Sequence, residues 1–138
     1  MTSRRAKGMQ YEREFEEILK HAGYTVQRVK GSTMFNKNVD FFGMWDLIAF
    51  NDRHWLLVQV KTDFRNKVWG DLSQWMDMNE PPFTIGLYAI RSKGKKWELA
   101  SAGGSIVFDF EGFVKNIREY EKLKNIRSLN VSMKKGST

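Results

Sequence analysis

Apolar residues recur at Tyr11, Phe15, Ile18, Leu19 and Ala22, the repeat of one helix face, and Gly23 stands where a left-handed cap ends a helix. A helix is therefore predicted over 7–22. Spacing residues by 100° puts Glu12 and Glu14 on opposite edges of its apolar stripe, roughly 80° from the centre, with Arg13 and Glu17 pointing away. Residues 24–29 alternate as a half-buried strand does, and 31–38 form a polar loop. Residues 39–50 and 55–61 are both apolar and β-rich. Between them, Asn51-Asp52-Arg53-His54 supplies turn chemistry, which predicts an antiparallel hairpin.

Val68, Leu72, Trp75 and Met76 are spaced as on a helix, so one is predicted over 67–79, stopped by Pro81-Pro82. Two more strands, 83–90 and 97–100, flank the basic turn 91–96. Residues 101–105 are small and predict a loop, and a charged helix is expected over 111–128. The alternation of strands and helices predicts an α/β fold, a mixed sheet flanked by helices, within one domain over 1–138. Short basic tails are expected at about 1–6 and 132–138.

Composition narrows the chemistry. With no cysteine and only His21 and His54, cysteine nucleophiles, iron–sulfur clusters and Cys/His zinc sites are excluded from these 138 residues. No G-x-S-x-G is present, and Gly103-Gly104 lacks the lysine and spacing of a phosphate-binding loop. Twenty-three Lys and Arg against sixteen Asp and Glu leave a net charge of +7, the field of a protein that meets a polyanion, nucleic acid first. There is no long apolar run and no apolar leader after Met1, so a soluble cytoplasmic protein is expected.

If the hairpin turns about Asp52 and Arg53, Phe50 faces Trp55 and Asp46 faces Gln59. Opposed residues share a sheet face, and Lys61 projects to that face two residues on. A carboxylate for Mg²⁺, the adjacent Val60 carbonyl and an ammonium that orients water or steadies phosphate charge suit phosphodiester hydrolysis. Glu12 would add an outer metal contact from the first helix. The alternative is an exposed sheet face carrying ordinary polar residues.

Several linked segments then share a pattern: Lys7-Gly8-x-x-Tyr11-Glu12-Arg13-Glu14-Phe15, Gly23-Tyr24-x-Val26-x-Arg28, Gly31-Ser32, Asp46-Leu47-Ile48-Ala49 and Gln59-Val60-Lys61. In this order they resemble the archaeal-type Holliday junction resolvases of the PD-(D/E)XK nuclease superfamily, over about residues 7 to 62. The resemblance implies a restriction-endonuclease-like fold and a Mg²⁺-dependent DNA endonuclease, with Mn²⁺ substituting, acting as a homodimer on branched or duplex DNA. Carried over by position, it makes Glu12 the helix-borne acid, Asp46 the central metal ligand and Lys61 the lysine of the E-x-K element. Arg13 and Arg28 match DNA-handling residues, and Lys30 and Ser32 fall at the substrate loop. It would also place Gln59 among the catalytic and metal residues.

The chain departs from that pattern in three places. Gln59 stands where an acid is usual, bringing an oxygen without charge and so weaker metal binding. Asp40 or Asp63 would restore the charge if its strand continued that far. The connection 35–45 is longer than the pattern, and the second half carries no resolvase signature. Two other readings stay open: a nuclease of phage or mobile-element type acting on unbranched DNA, and a DNA-binding module with a weakened site. Elsewhere, Trp69 and Trp75 suit either base stacking or packing, the 91–96 turn either phosphate contact or a solvated tip, and His21 and His54 are expected to cap and to turn the chain.

Overall fold

The computed structural model describes residues 4–29, 41–92 and 96–136, and the side chains within 8–29, 43–92 and 96–123. They fall into two units, Met1–Phe108 and Asp109–Thr138. The first carries the sheet. Helix α1 (Arg4–His21) is closed by paired bonds: Gly23 N–H donates to Lys20 O at 3.0 Å and Tyr24 N–H to Leu19 O at 3.0 Å. Gly23 sits at φ +95, a conformation that an L side chain resists, so the chain reverses there into strand β1 (Thr25–Arg28).

After the short helix α2 (Phe41–Met44) come β2 (Leu47–Phe50) and β3 (Trp55–Lys61), antiparallel, with Phe50 opposite Trp55 and Leu47 opposite Val58. This is the expected hairpin in the expected register. The first strand is shorter than predicted. Residues 41–44 form a helical turn with Gly43 at φ +62, and Asp46 occupies a bend in front of β2. Helix α3 (Asn66–Asn79) then crosses over, so that β4 (Thr84–Arg91) pairs parallel to β3. Glu80, left-handed at φ 39, ends α3 one residue before Pro81.

Strand β5 (Trp97–Gly104) runs antiparallel to β4 and takes in four of the residues expected as a loop. Small side chains permit it: a Cβ on Gly104 would lie 2.8 Å from Thr84 O, and one on Gly86 would lie 2.9 Å from Met76 Cγ and 3.2 Å from Ala102 O. The sheet order is β1-β2-β3-β4-β5, with one parallel pair in an otherwise antiparallel sheet.

One face of the sheet is covered by α3, where Trp45, Leu57, Leu72, Met76, Tyr88, Ile90 and Ala102 form a buried cluster. Helix α1 lies against β1, β2 and β3, burying Phe15, Ile18 and Leu19, and the Phe15 ring packs tilted against Trp97 at 4.9 Å. The second unit is helix α4 (Phe110–Gly136), N-capped by Asp109, whose Oδ1 accepts the Gly112 N–H at 3.0 Å. It runs further than predicted and takes in most of the segment expected as a basic tail. Among the described residues, no helix is long and apolar enough to cross a membrane.

Candidate active site

The site forms where α1, the bend before β2 and the end of β3 meet. Asp46 N–H donates to Val58 O at 2.7 Å, which fixes the bend against β3 and turns the carboxylate along the strand. Asp46 Oδ2 accepts the Val60 N–H at 2.9 Å. An extended residue sends its N–H and C=O to the same strand edge, so the Val60 carbonyl projects on the Asp46 side, beyond the end of the β2 ladder. Gln59 is only 7% exposed, and one end of its amide lies between two acceptors, Asp46 Oδ2 and the Met44 carbonyl; hydrogen bonding therefore assigns the amide nitrogen to that end, 3.3 Å from Asp46 Oδ2.

Glu12 reaches this cluster from the edge of α1. Burial, then the charge of Asp46, raise its pKa to about 7 against the opposing pull of Arg28 and Lys61. Burial also raises Asp46, while the Val60 N–H and Lys61 pull it down. Two carboxyls that share a partly buried site disfavour ionising together, and Glu12 is pushed up to about 7. Lys61 is exposed, at the mouth of the cluster. The sequence thus places Glu12, Asp46, Gln59, Val60 and Lys61 together, as the structure has them.

The remaining expected residues are distributed differently. Arg13 is exposed on α1. Arg28 is half-buried, its Nε 3.1 Å from Glu16, which also meets Lys20 at 2.9 Å. Lys30, Ser32 and Asp40 lie outside the described residues. Strand β3 ends at Lys61, so the pleat that would carry Asp63 to the site does not reach it, and Asp63 Oδ2 pairs with Arg65 Nε at 3.2 Å.

Two supports escaped the sequence reading. The buried Tyr88 hydroxyl donates to Asp63 O at 3.1 Å and accepts the Arg65 N–H at 3.2 Å, holding the chain as it leaves Lys61. Its signal was a lone hydroxyl in the apolar run 85–90. On α1, Glu14 Oε2 lies 3.0 Å from Arg91 Nε, and the guanidinium sits over the rings of Tyr11 and Trp97 at 5.7 and 5.6 Å. Arg28 and Arg91 thus hold α1 by opposite edges, which sets the roll of the helix and the reach of Glu12. No periodic pattern announces such long-range pairs.

Among the described residues no three His, Cys, Asp or Glu side chains group as a metal cage. A divalent hard cation nevertheless fits the donors present: one carboxylate with a second oxygen not engaged by Val60, a second carboxyl beside it, and a peptide carbonyl.

A mixed five-stranded sheet flanked by helices is the α/β arrangement of restriction-endonuclease-like folds. The sequence profile of the archaeal Holliday junction resolvase (Hjc) family matches residues 3–102, well over half of the chain, and the chain belongs to that family, whose members are metal-dependent nucleases. Among solved structures it is similar to Hjc from Archaeoglobus fulgidus, a Holliday junction resolvase from an archaeal hyperthermophile. The TM-score is 0.51 at 20% identity, over 69% of this chain and 77% of that one. No curated protein matches the chain by sequence.

Proposed function

We propose that the protein is a Mg²⁺-dependent endonuclease that cuts four-way DNA junctions, with Mn²⁺ able to substitute. The observation that supports it is Asp46 held by Val60, with Glu12 and Lys61 at hand. Asp46, the Val60 carbonyl and Glu12 would hold the cation. When bound, the cation supplies Lewis-acid polarisation of the scissile phosphate and a more acidic water.

The chain's own residues do the rest. The Lys61 ammonium, exposed beside the two carboxyls, orients the attacking water or steadies the charge that grows on the phosphate. Glu12, whose carboxyl burial and Asp46 push up to about 7, would hold the cation as its carboxylate. Exposed Arg13 is placed to meet a phosphate, whereas Arg28 does so only by loosening Glu16. A homodimer would set two such sites on opposing strands, in the compartment where DNA is met, the cytoplasm.

The test is cleavage of a labelled four-way junction beside linear duplex and single strand, in Mg²⁺, Mn²⁺ and EDTA, with Asp46→Ala in parallel. Paired cuts confined to the junction, lost in EDTA and in the variant while junction binding persists, are expected. Wild-type cutting by Asp46→Ala overturns the site, and equal cutting of duplex and junction overturns the substrate.

A further inference from the structure

Gln59 occupies the position where the family pattern has an acid, yet its surroundings do not treat it as a substitute oxygen. It is buried, and the two groups its amide meets, Asp46 Oδ2 and the Met44 carbonyl, are both acceptors. An amide oxygen placed between them would repel both, whereas an NH₂ group has two protons for two acceptors. A carboxyl could not do the same. It carries at most one proton, so one acceptor would always face a bare oxygen.

We infer that Gln59 is a positioning residue: its amide nitrogen clamps the Asp46 carboxylate to the Met44 carbonyl in the metal-free protein, and its oxygen is not a metal ligand. The inference rests on the reading of Asp46 as the metal-holding carboxylate. Asp46 Oδ2 then receives two donors, from Gln59 and Val60, which leaves the other oxygen for the cation. The clamp also ties β3 to the end of α2 and so braces the bend at Trp45 and Asp46. For its oxygen to ligate, the amide would have to turn over and leave Asp46 Oδ2 and Met44 O, on two half-buried residues, without that donor. The site is thereby built before a cation arrives, at the expense of charge that would bind the cation tightly.

The experiment uses the full chain. Gln59→Met keeps length and bulk but removes both donors and the oxygen, and its thermal midpoint without metal is expected to fall by about 3–6 °C. Its Mn²⁺ affinity, by calorimetry, is expected to stay within about fivefold of the wild type, since no ligand has been lost. An unchanged metal-free midpoint, or a larger loss of Mn²⁺ affinity, overturns the clamp.

A second measurement needs no folded variant at position 59 by methionine. In nitrogen-edited NMR of the wild-type protein, the Gln59 NH₂ pair, assigned by its absence from Gln59→Glu or by selective labelling, should exchange with solvent about 100-fold more slowly than those of exposed Gln10 and Gln74. That protection should persist in saturating Mg²⁺. Exchange as fast as at Gln10, or loss of protection when Mg²⁺ is added, overturns the proposal. Asp46→Asn serves as the reference: if it binds Mn²⁺ as the wild type does, the metal reading of Asp46 fails, while the metal-free midpoint and exchange rates still decide the clamp.

Discussion

The two ends of strand β3 treat polar groups in opposite ways. At the Trp55 end, Asn51 Oδ1 accepts the N–H groups of Arg53 and His54 at 2.8 and 2.9 Å, and His54 O accepts the Asn51 N–H at 3.1 Å. Tyr24 and His54 Nε2 share a hydrogen bond of 2.6 Å, and the rings of Phe50 and Trp55 lie 4.8 Å apart. Every one of these groups closes the chain. At the Lys61 end, two carboxyls are brought together in a half-buried place, and both are harder to ionise there than in water. A fold selected for stability alone would separate them; this one holds them with arginines at both edges of α1. Satisfaction at one end and frustration at the other separate the end that folds the hairpin from the end that the proposed function uses for chemistry.

The sharpest break of this comparison is Lys61→Ala. Lys61 is exposed and its removal leaves no cavity, so the thermal midpoint should move little, while single-turnover junction cleavage should fall by about 10²–10³-fold, the scale of losing one preorganised charge at a reacting phosphate. A fall below tenfold would remove Lys61 from the reacting group.

Glu12→Gln sharpens the comparison through pH. The unfolded chain releases the Glu12 proton near 4.5 and the folded chain near 7, so between these values the folded state holds more protons and stability falls as pH rises. The penalty is complete above pH 7 and absent below about 4.5. Scaled down for a group half open to solvent, it amounts to about 1–2 kcal/mol. Glu12→Gln should therefore be more stable than the wild type at pH 8 by that amount and equal to it at pH 4.5, measured by urea unfolding without metal. The same variant should lose cleavage. Equal stability gain at both pH values would show that the carboxyl is not strained by its site.

How far the sequence carried is clear from the hairpin. Its register was legible because four turn residues, 51–54, anchor it and the apolar faces of both strands admit no slip. That register, with a helix edge computed from 100° steps, was enough to bring Glu12, Asp46, Gln59 and Lys61 together. The segment before Asp46 was not legible. Phe41 and Phe42 make an unbroken apolar run that suits helix or strand equally, and Gly43 decides it. Strand β5 was hidden for the opposite reason: Ala102, Gly103 and Gly104 look like a loop until the crowded backbone of β4 demands small residues beside it. The ion pairs of Glu14 with Arg91 and Glu16 with Arg28 depend on tertiary geometry and leave no local trace. Gln59 was legible as an anomaly in charge; the two acceptors that face its amide were not.

The smallest expected effect lies at the other end of the strand. Burial, then the charge of Arg53, depress the pKa of His54, so the ring is neutral at pH 8, and in its Nδ1–H tautomer Nε2 accepts from the Tyr24 hydroxyl. Tyr24→Phe removes that donor and should cost about 1 kcal/mol at pH 8. The sign of the pH dependence is opposite to that of Glu12. Because His54 takes up a proton less readily folded than unfolded, its contribution to stability is present above its ordinary pKa of 6.5 and is lost as pH falls through and below it. Losing a hydrogen bond that favours the neutral ring brings the folded pKa back toward 6.5, so the deficit of Tyr24→Phe relative to the wild type should narrow toward pH 5. Urea midpoints at pH 8 and pH 5 check this, with junction cleavage per folded molecule expected to stay at the wild-type rate. A deficit that is equal at both pH values would detach His54 from Tyr24 energetically. A fall in cleavage would mean that the turn and the site, at opposite ends of one strand, are not independent.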